Sequence, residues 1–103
     1  MDIILCKLVT GEDVIGEVVT ANDRNIVLKN PVRVAMMRDK NGEPNVGFAQ
    51  FPQFAEEKKD STVDFLHHHV VYYYVPAEDF RKNYEQMFGL GLILPGEKKI
   101  ITG

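Results

Sequence analysis

Between Gly16 and Leu28 the chain reads Gly-Glu-Val-Val-Thr-Ala, then Asn-Asp-Arg-Asn, then Ile-Val-Leu. The flanks carry Val and Ile, whose branched side chains suit a half-buried pleated surface. The block between them, Asn22 to Asn25, is polar and lacks glycine. Asn and Asp still allow a tight reversal there, because they tolerate left-handed backbone angles and hydrogen-bond their own main chain. Strand, polar turn, strand is therefore the expected local fold. The same turn side chains can also offer donors and acceptors to a ligand.

Further strand patterns surround this hairpin. Ile3 to Val9 is apolar on both faces with Lys7 its only charge, and Thr10-Gly11-Glu12-Asp13 makes a turn into Val14 to Thr20. A third strand opens at Ile26. Pro31 interrupts it before Val32, Val34 and Met36 resume the alternation. Proline cannot donate to a ladder, so an edge, bulge or bend is expected there. Asn41-Gly42 marks a hairpin tip, with Val46 to Phe51 as the returning strand. Phe48, Phe51 and Phe54, three residues apart, predict mixed faces and a turn near Pro52. Residues 55–62 read as a solvated loop whose charges nearly cancel.

Two short strands follow, Val63 to Leu66 and Val70 to Val75, around His67-His68-His69. On strand alternation His67 and His69 would share a face and His68 would point away. A structural zinc site wants four ligands, typically with cysteines, and no partner pair is visible, so no metal is expected. A turn with solvent-facing rings and a ligand-contacting turn both remain open. The last strand is apolar on both faces, with Val70, Tyr72 and Tyr74 on one side and Val71, Tyr73 and Val75 on the other. An edge strand of that kind invites pairing with another chain. Residues Val70, Val71, Tyr72, Tyr73 and Tyr74 are thus the expected oligomer interface.

Past Pro76 the period changes. Ala77, Phe80, Tyr84, Met87 and Phe88 recur at helical spacing, with Glu78 and Asp79 at the start and Gly89 as a stop. The spacing predicts a helix over 77–88, Glu78 and Lys82 pairing along it. An apolar connection, Leu90 to Leu94, and a tail over 95–103 end the chain.

At 103 residues with no obvious linker, one domain is expected. No leader pattern or apolar run of membrane-spanning length appears, so the chain is expected to be soluble and cytoplasmic. A lone Cys6 within the first strand reads as a small apolar residue. The formal charge of −3 argues against a duplex-DNA binder, which would show a basic stripe. Any nucleic acid should be single-stranded and held by its bases as much as by its phosphates. No nucleophile–base pair, carboxylate dyad or phosphate loop is legible, so neither an enzyme nor a cofactor is expected.

The Gly, apolar strand, Asn/Asp turn and Asn-apolar-apolar-Leu of residues 16–28 resembles the first motif of the Sm and Sm-like RNA-binding proteins. The family's turn usually runs Asp, three residues, Asn, after an aromatic; here it is one residue tighter, and Ala21 stands near the aromatic position. The second motif has an apolar strand, a short polar turn and a final apolar strand. Val63 to Val75 is similar to it, with His67 to His69 in the turn and Val75-Pro76 after it. The usual Arg-Gly pair is absent. The resemblance spans roughly residues 3–75, with an insertion before the histidine turn, and the helix-last order is most similar to Sm-like proteins of phage genomes.

Taken together, the residues and the resemblance predict a mainly β fold. It would be a strongly bent five-stranded antiparallel sheet, a small open barrel with a C-terminal α-helix that covers one end. The resemblance implies a cyclic homo-oligomer that binds single-stranded RNA at its inner rim through Asn22, Asp23, Arg24, Asn25, His67, His68 and His69. The alternative is an assembly protein that uses the ring only to oligomerise.

Overall fold

A single strand of 14 residues organises the molecule. The computed structural model describes residues 2–56 and 58–89. Its strands are β1 (Ile3–Leu8), β2 (Asp13–Ala21), β3 (Asn25–Arg38), β4 (Pro44–Gln50), β5 (Thr62–Leu66) and β6 (Val70–Tyr74), followed by helix α1 (Glu78–Gly89). All pairings are antiparallel. The order is β4-β3-β2-β1-β6, with β5 added beside β3. The sheet is not closed.

β3 is long enough to serve two partners along one edge. Its first part, Asn25 to Lys29, pairs with β5; its second, Val32 to Arg38, pairs with β4. The handover falls at Asn30 and Pro31, where Pro31 has no N–H to give. Asn30 has φ +51° and is buried. Its amide oxygen accepts from the Asp60 N–H at 2.9 Å, and its own N–H donates to the Ser61 carbonyl at 2.8 Å. The expected loop before β5 is thereby stapled to the bend. The sheet has six strands where five are expected, since β4, the return strand of the hairpin at Asn41-Gly42, joins it beside β3.

The bend also requires close approach between β2 and β3. A Cβ on Gly16 would sit 3.1 Å from the Leu28 Cβ and 3.4 Å from the Lys29 carbonyl oxygen. Beside it the register between the strands shifts, between Ile15 and Glu17. Glycine at 16 is what lets the strands meet there.

Strand alternation splits the apolar residues into two cores. On one face Ile3, Leu5, Ile15, Val32 and Phe48 bury against Tyr84 and Met87 of α1. On the other, Ile4, Cys6, Leu8, Val14, Ile26, Leu28 and Phe65 form the inner core of the bent sheet. Phe48 and Phe51 fall on opposite cores, Phe51 stacking on Phe65 at 5.8 Å, whereas Phe54 is 92 % exposed. The mixed faces expected of the three phenylalanines are present.

α1 begins at Glu78 and lies across the face of the sheet, anchored by Tyr84, whose hydroxyl donates to the carbonyls of Lys29 and Asn30 at 2.8 and 3.0 Å. Its Glu78–Lys82 pair is formed at 2.8 Å. Phe80 is only half-buried, so Tyr84 and Met87 do most of the covering. Among the described residues no helix is long and apolar enough to cross a membrane. The connection expected over Leu90 to Leu94 and the tail over 95–103 lie outside the described residues.

Candidate nucleic-acid interface

The two polar turns singled out in the sequence meet at one corner of the sheet. Asn22 shapes the first: its side-chain oxygen accepts from the backbone N–H groups of Arg24 and Asn25 at 2.8 and 2.9 Å, and its own N–H donates to the Asn25 carbonyl. This is the short-range bonding expected of Asn in a turn. The second turn, His67–His69, is a single 3-10 turn between β5 and β6. Because β5 pairs with the start of β3, Asn25 stands opposite Leu66. One residue on, the His67 N–H donates to the Arg24 carbonyl at 2.6 Å. The Asn25 side-chain amide donates to the Asp64 carboxylate at 2.7 Å, a contact across 39 residues of chain.

All seven predicted residues therefore lie at this corner, in different circumstances. Asn22 and Asn25 spend hydrogen-bonding groups on building and docking the turn. Asp23, Arg24, His68 and His69 are exposed, and His67 and Asn25 are half-buried. The 3-10 turn changes the arrangement of the imidazoles from the one strand alternation predicted. His68 and His69 are neighbours, ring centres 4.5 Å apart, while His67 meets the edge of Tyr73 at 6.3 Å. Among the described residues no three His, Cys, Asp or Glu side chains converge as a metal site would need.

The expected interface strand is an edge strand. β6 pairs with β1 and with no other strand among the described residues. Its two faces differ from the simple alternation, because pairing passes from Tyr72 to Val70 and skips Val71. Val71 is the extra residue of a bulge, and Val70 turns to the inner core instead of sharing a side with Tyr72 and Tyr74. Val71 to Val75 remain 44–75 % exposed. Beside Tyr72 and Tyr74, Lys7 is tied to Asp13 at 3.1 Å, and that hydrogen bond holds its ammonium above its ordinary pKa.

β5 also has one unpaired edge among the described residues. Next to it opens a largely apolar cleft of about 500 Å³, whose lining includes Leu8, Val9, Phe51, Pro52, Phe65 and Leu66 together with the ionisable Glu12, Asp64 and His69. Cys6 lies beneath in the inner core. Burial pushes its thiol up to about 11, which leaves it protonated and inert at neutral pH.

Asp64 and the Phe51–Pro52 wall were not legible as site residues. Asp64 reads as an ordinary outward-facing strand residue until the β3–β5 register is known. Phe51 reads as one of three phenylalanines of uncertain face. Comparison of the chain with known protein families finds no family model that matches it, and comparison with curated proteins finds no match.

Proposed function

We propose that the protein is a non-catalytic, ring-forming module similar to the Sm-like proteins, which binds single-stranded RNA at the corner formed by residues 22–25 and 67–69. The observation that carries this reading is the hydrogen bond from the His67 N–H to the Arg24 carbonyl. It fixes an Asn/Asp/Arg turn beside a histidine turn, two segments separated by more than 40 residues. Amide, carboxylate and guanidinium groups there suit the edge of an unpaired base, and an imidazole can stack on it or donate to it. In a cyclic assembly built on the β6 edge, one such corner per subunit would repeat around the inner rim.

Arg24 is the one cation in the first turn; Asp23 precedes it, and Asp64 is bonded to the next residue, Asn25. Binding should therefore depend on bases more than on phosphates and show a shallow salt dependence. The test is filter binding of short uridine-rich and adenine-rich RNAs at two salt concentrations. Binding that weakens with salt and is lost in Arg24→Ala and His68→Ala supports the reading. Absence of binding at low salt removes it. The acidic surroundings and the net charge of −3 favour one second reading, an assembly module without nucleic acid.

A further inference from the structure

We infer that the cleft beside β5 is a binding site for a small organic cation, an ammonium group carried on an apolar body such as an aromatic ring. The inference stands apart from the ring and RNA readings above. It gives the molecule a second site, with a ligand of a different chemical class.

The cleft has the size and the floor of a small-molecule site. Its volume of about 500 Å³ lies within the range of roughly 300–1,000 Å³ typical of such pockets. Leu8 and Phe65, both buried, reach it from the inner core. The half-buried Val63, Phe51 and Pro52 extend that apolar surface, with the Phe51 ring stacked on Phe65 at 5.8 Å. An aromatic or aliphatic body seated there removes apolar surface from water on both sides of the contact.

The charge of the lining decides what such a body must carry. Glu12 and Asp64 are in the lining with His69, and no Lys or Arg joins them among the described residues. The half-buried Glu12 accepts from the Thr10 hydroxyl through Oε1 at 2.8 Å. Asp64 accepts from the Asn25 amide through Oδ1 at 2.7 Å. Each carboxylate therefore keeps a second oxygen that no donor among the described residues reaches. A neutral occupant would take water from these oxygens and return nothing, and an anion would add like charge. An ammonium group brings three donors and the opposite charge, so its hydrogen bonds are charge-assisted. A nucleic-acid phosphate would meet the same repulsion as any other anion, which sets this site apart from the corner at residues 22–25 and 67–69.

The test compares three probes that share a naphthalene ring and differ in charge: naphthylmethylamine, naphthylmethanol and naphthoate. Each is titrated at pH 7 into the full chain without RNA and read by naphthalene fluorescence, which no tryptophan masks in this chain. The amine should bind tighter than the alcohol by about tenfold or more, and the naphthoate should bind weakest. Glu12→Gln and Asp64→Asn should each bring the amine toward the alcohol and leave the alcohol unchanged. Glu12→Gln is the cleaner of the two, because Asp64 also receives the Asn25 amide. Val9→Lys, at an exposed position of the lining, should turn the preference toward the naphthoate. Circular dichroism checks folding, and Thr10→Lys replaces Val9→Lys if the latter does not fold. No amine binding at about 1 mM, equal affinity for the three probes, or a preference for the alcohol or the naphthoate overturns the inference. An amine preference that the folded cleft variants leave intact overturns it too. Amine bound by a Val71→Lys monomer but not by a wild-type oligomer would give the cleft to a second copy, and overturns it likewise. Filter binding and sedimentation judge the RNA and ring readings separately, so each can fail without the others.

Discussion

Tyr84 is the residue on which the fold turns most. Its ring fills the core between α1 and the sheet, and its hydroxyl reaches the bend in β3 through two carbonyls. Burial also raises its phenol above the ordinary value. Tyr84→Phe keeps the ring and loses the hydrogen bonds, so it should cost about 1 kcal/mol; Tyr84→Ala should cost about 3–5 kcal/mol. Urea denaturation distinguishes the two. Phe80→Ala, at a half-buried position, should cost less than Tyr84→Ala. Cys6 gives a second prediction at this scale. Its pKa is raised from 9.0 to about 11 by burial, so the folded thiol keeps its proton where the unfolded one loses it. The stabilising effect is fully present below pH 9 and is lost as pH rises through 11, with Tyr84 acting in the same direction. Stability should fall over that window in wild type and fall less in Cys6→Ala. Alkylation of native Cys6 at pH 8 should be far slower than that of the urea-unfolded chain.

At the scale of elements, much was legible because the pattern of side chains is local. The Asn turn, the Asn41-Gly42 tip, the two short strands around the histidines and the helix over 77–88 all follow from residue type and spacing. What escaped depends on register. Nothing in Val63 to Leu66 says that it pairs with the first part of β3, so the contact of Asp64 with Asn25 could not be read. The bulge at Val71 broke an alternation that looked regular, and a 3-10 turn placed the imidazoles differently from a strand. Pro31 signalled a bend, but the partner exchange there is made by Asn30, whose buried amide ties down a loop 30 residues away. Asn30→Ala should therefore loosen two elements together. It removes a buried acceptor and strains φ +51°, and should cost about 1–3 kcal/mol. Hydrogen exchange should show the loss of protection in residues 58–61 as well as in β3. Cutting the chain after Pro76 would bare the face formed by Ile3, Leu5, Ile15, Val32 and Phe48. That product should be poorly soluble. A folded, equally stable product would mean that α1 serves a partner instead.

At the scale of the whole molecule, assembly and RNA binding are separable, and their coupling is a matter of effective concentration. Each corner offers few cationic groups, so one subunit alone should hold a base weakly. A ring presents several corners to one strand, and once the first base is held the next contact is intramolecular. Such linkage raises apparent affinity by roughly 10²–10⁴ without any new contact, provided the strand spans the sites. Val71 is the exposed bulge residue of β6 and takes no part in the bond that joins the two turns, so Val71→Lys should yield monomers that keep the His67–Arg24 contact. These monomers and the wild-type oligomer should bind a mono- or dinucleotide alike, because one corner is engaged in both. On a uridine tract long enough to cross several subunits, the oligomer should bind at least a hundredfold more tightly, and its salt slope should be the steeper in proportion to the corners engaged. Fluorescence anisotropy across a series of tract lengths measures both effects. Equal affinity of monomer and oligomer for the long tract would show that RNA is not held around a ring. If the oligomer is intact and neither binds at low salt, the corner is a structural junction and the protein is an assembly module.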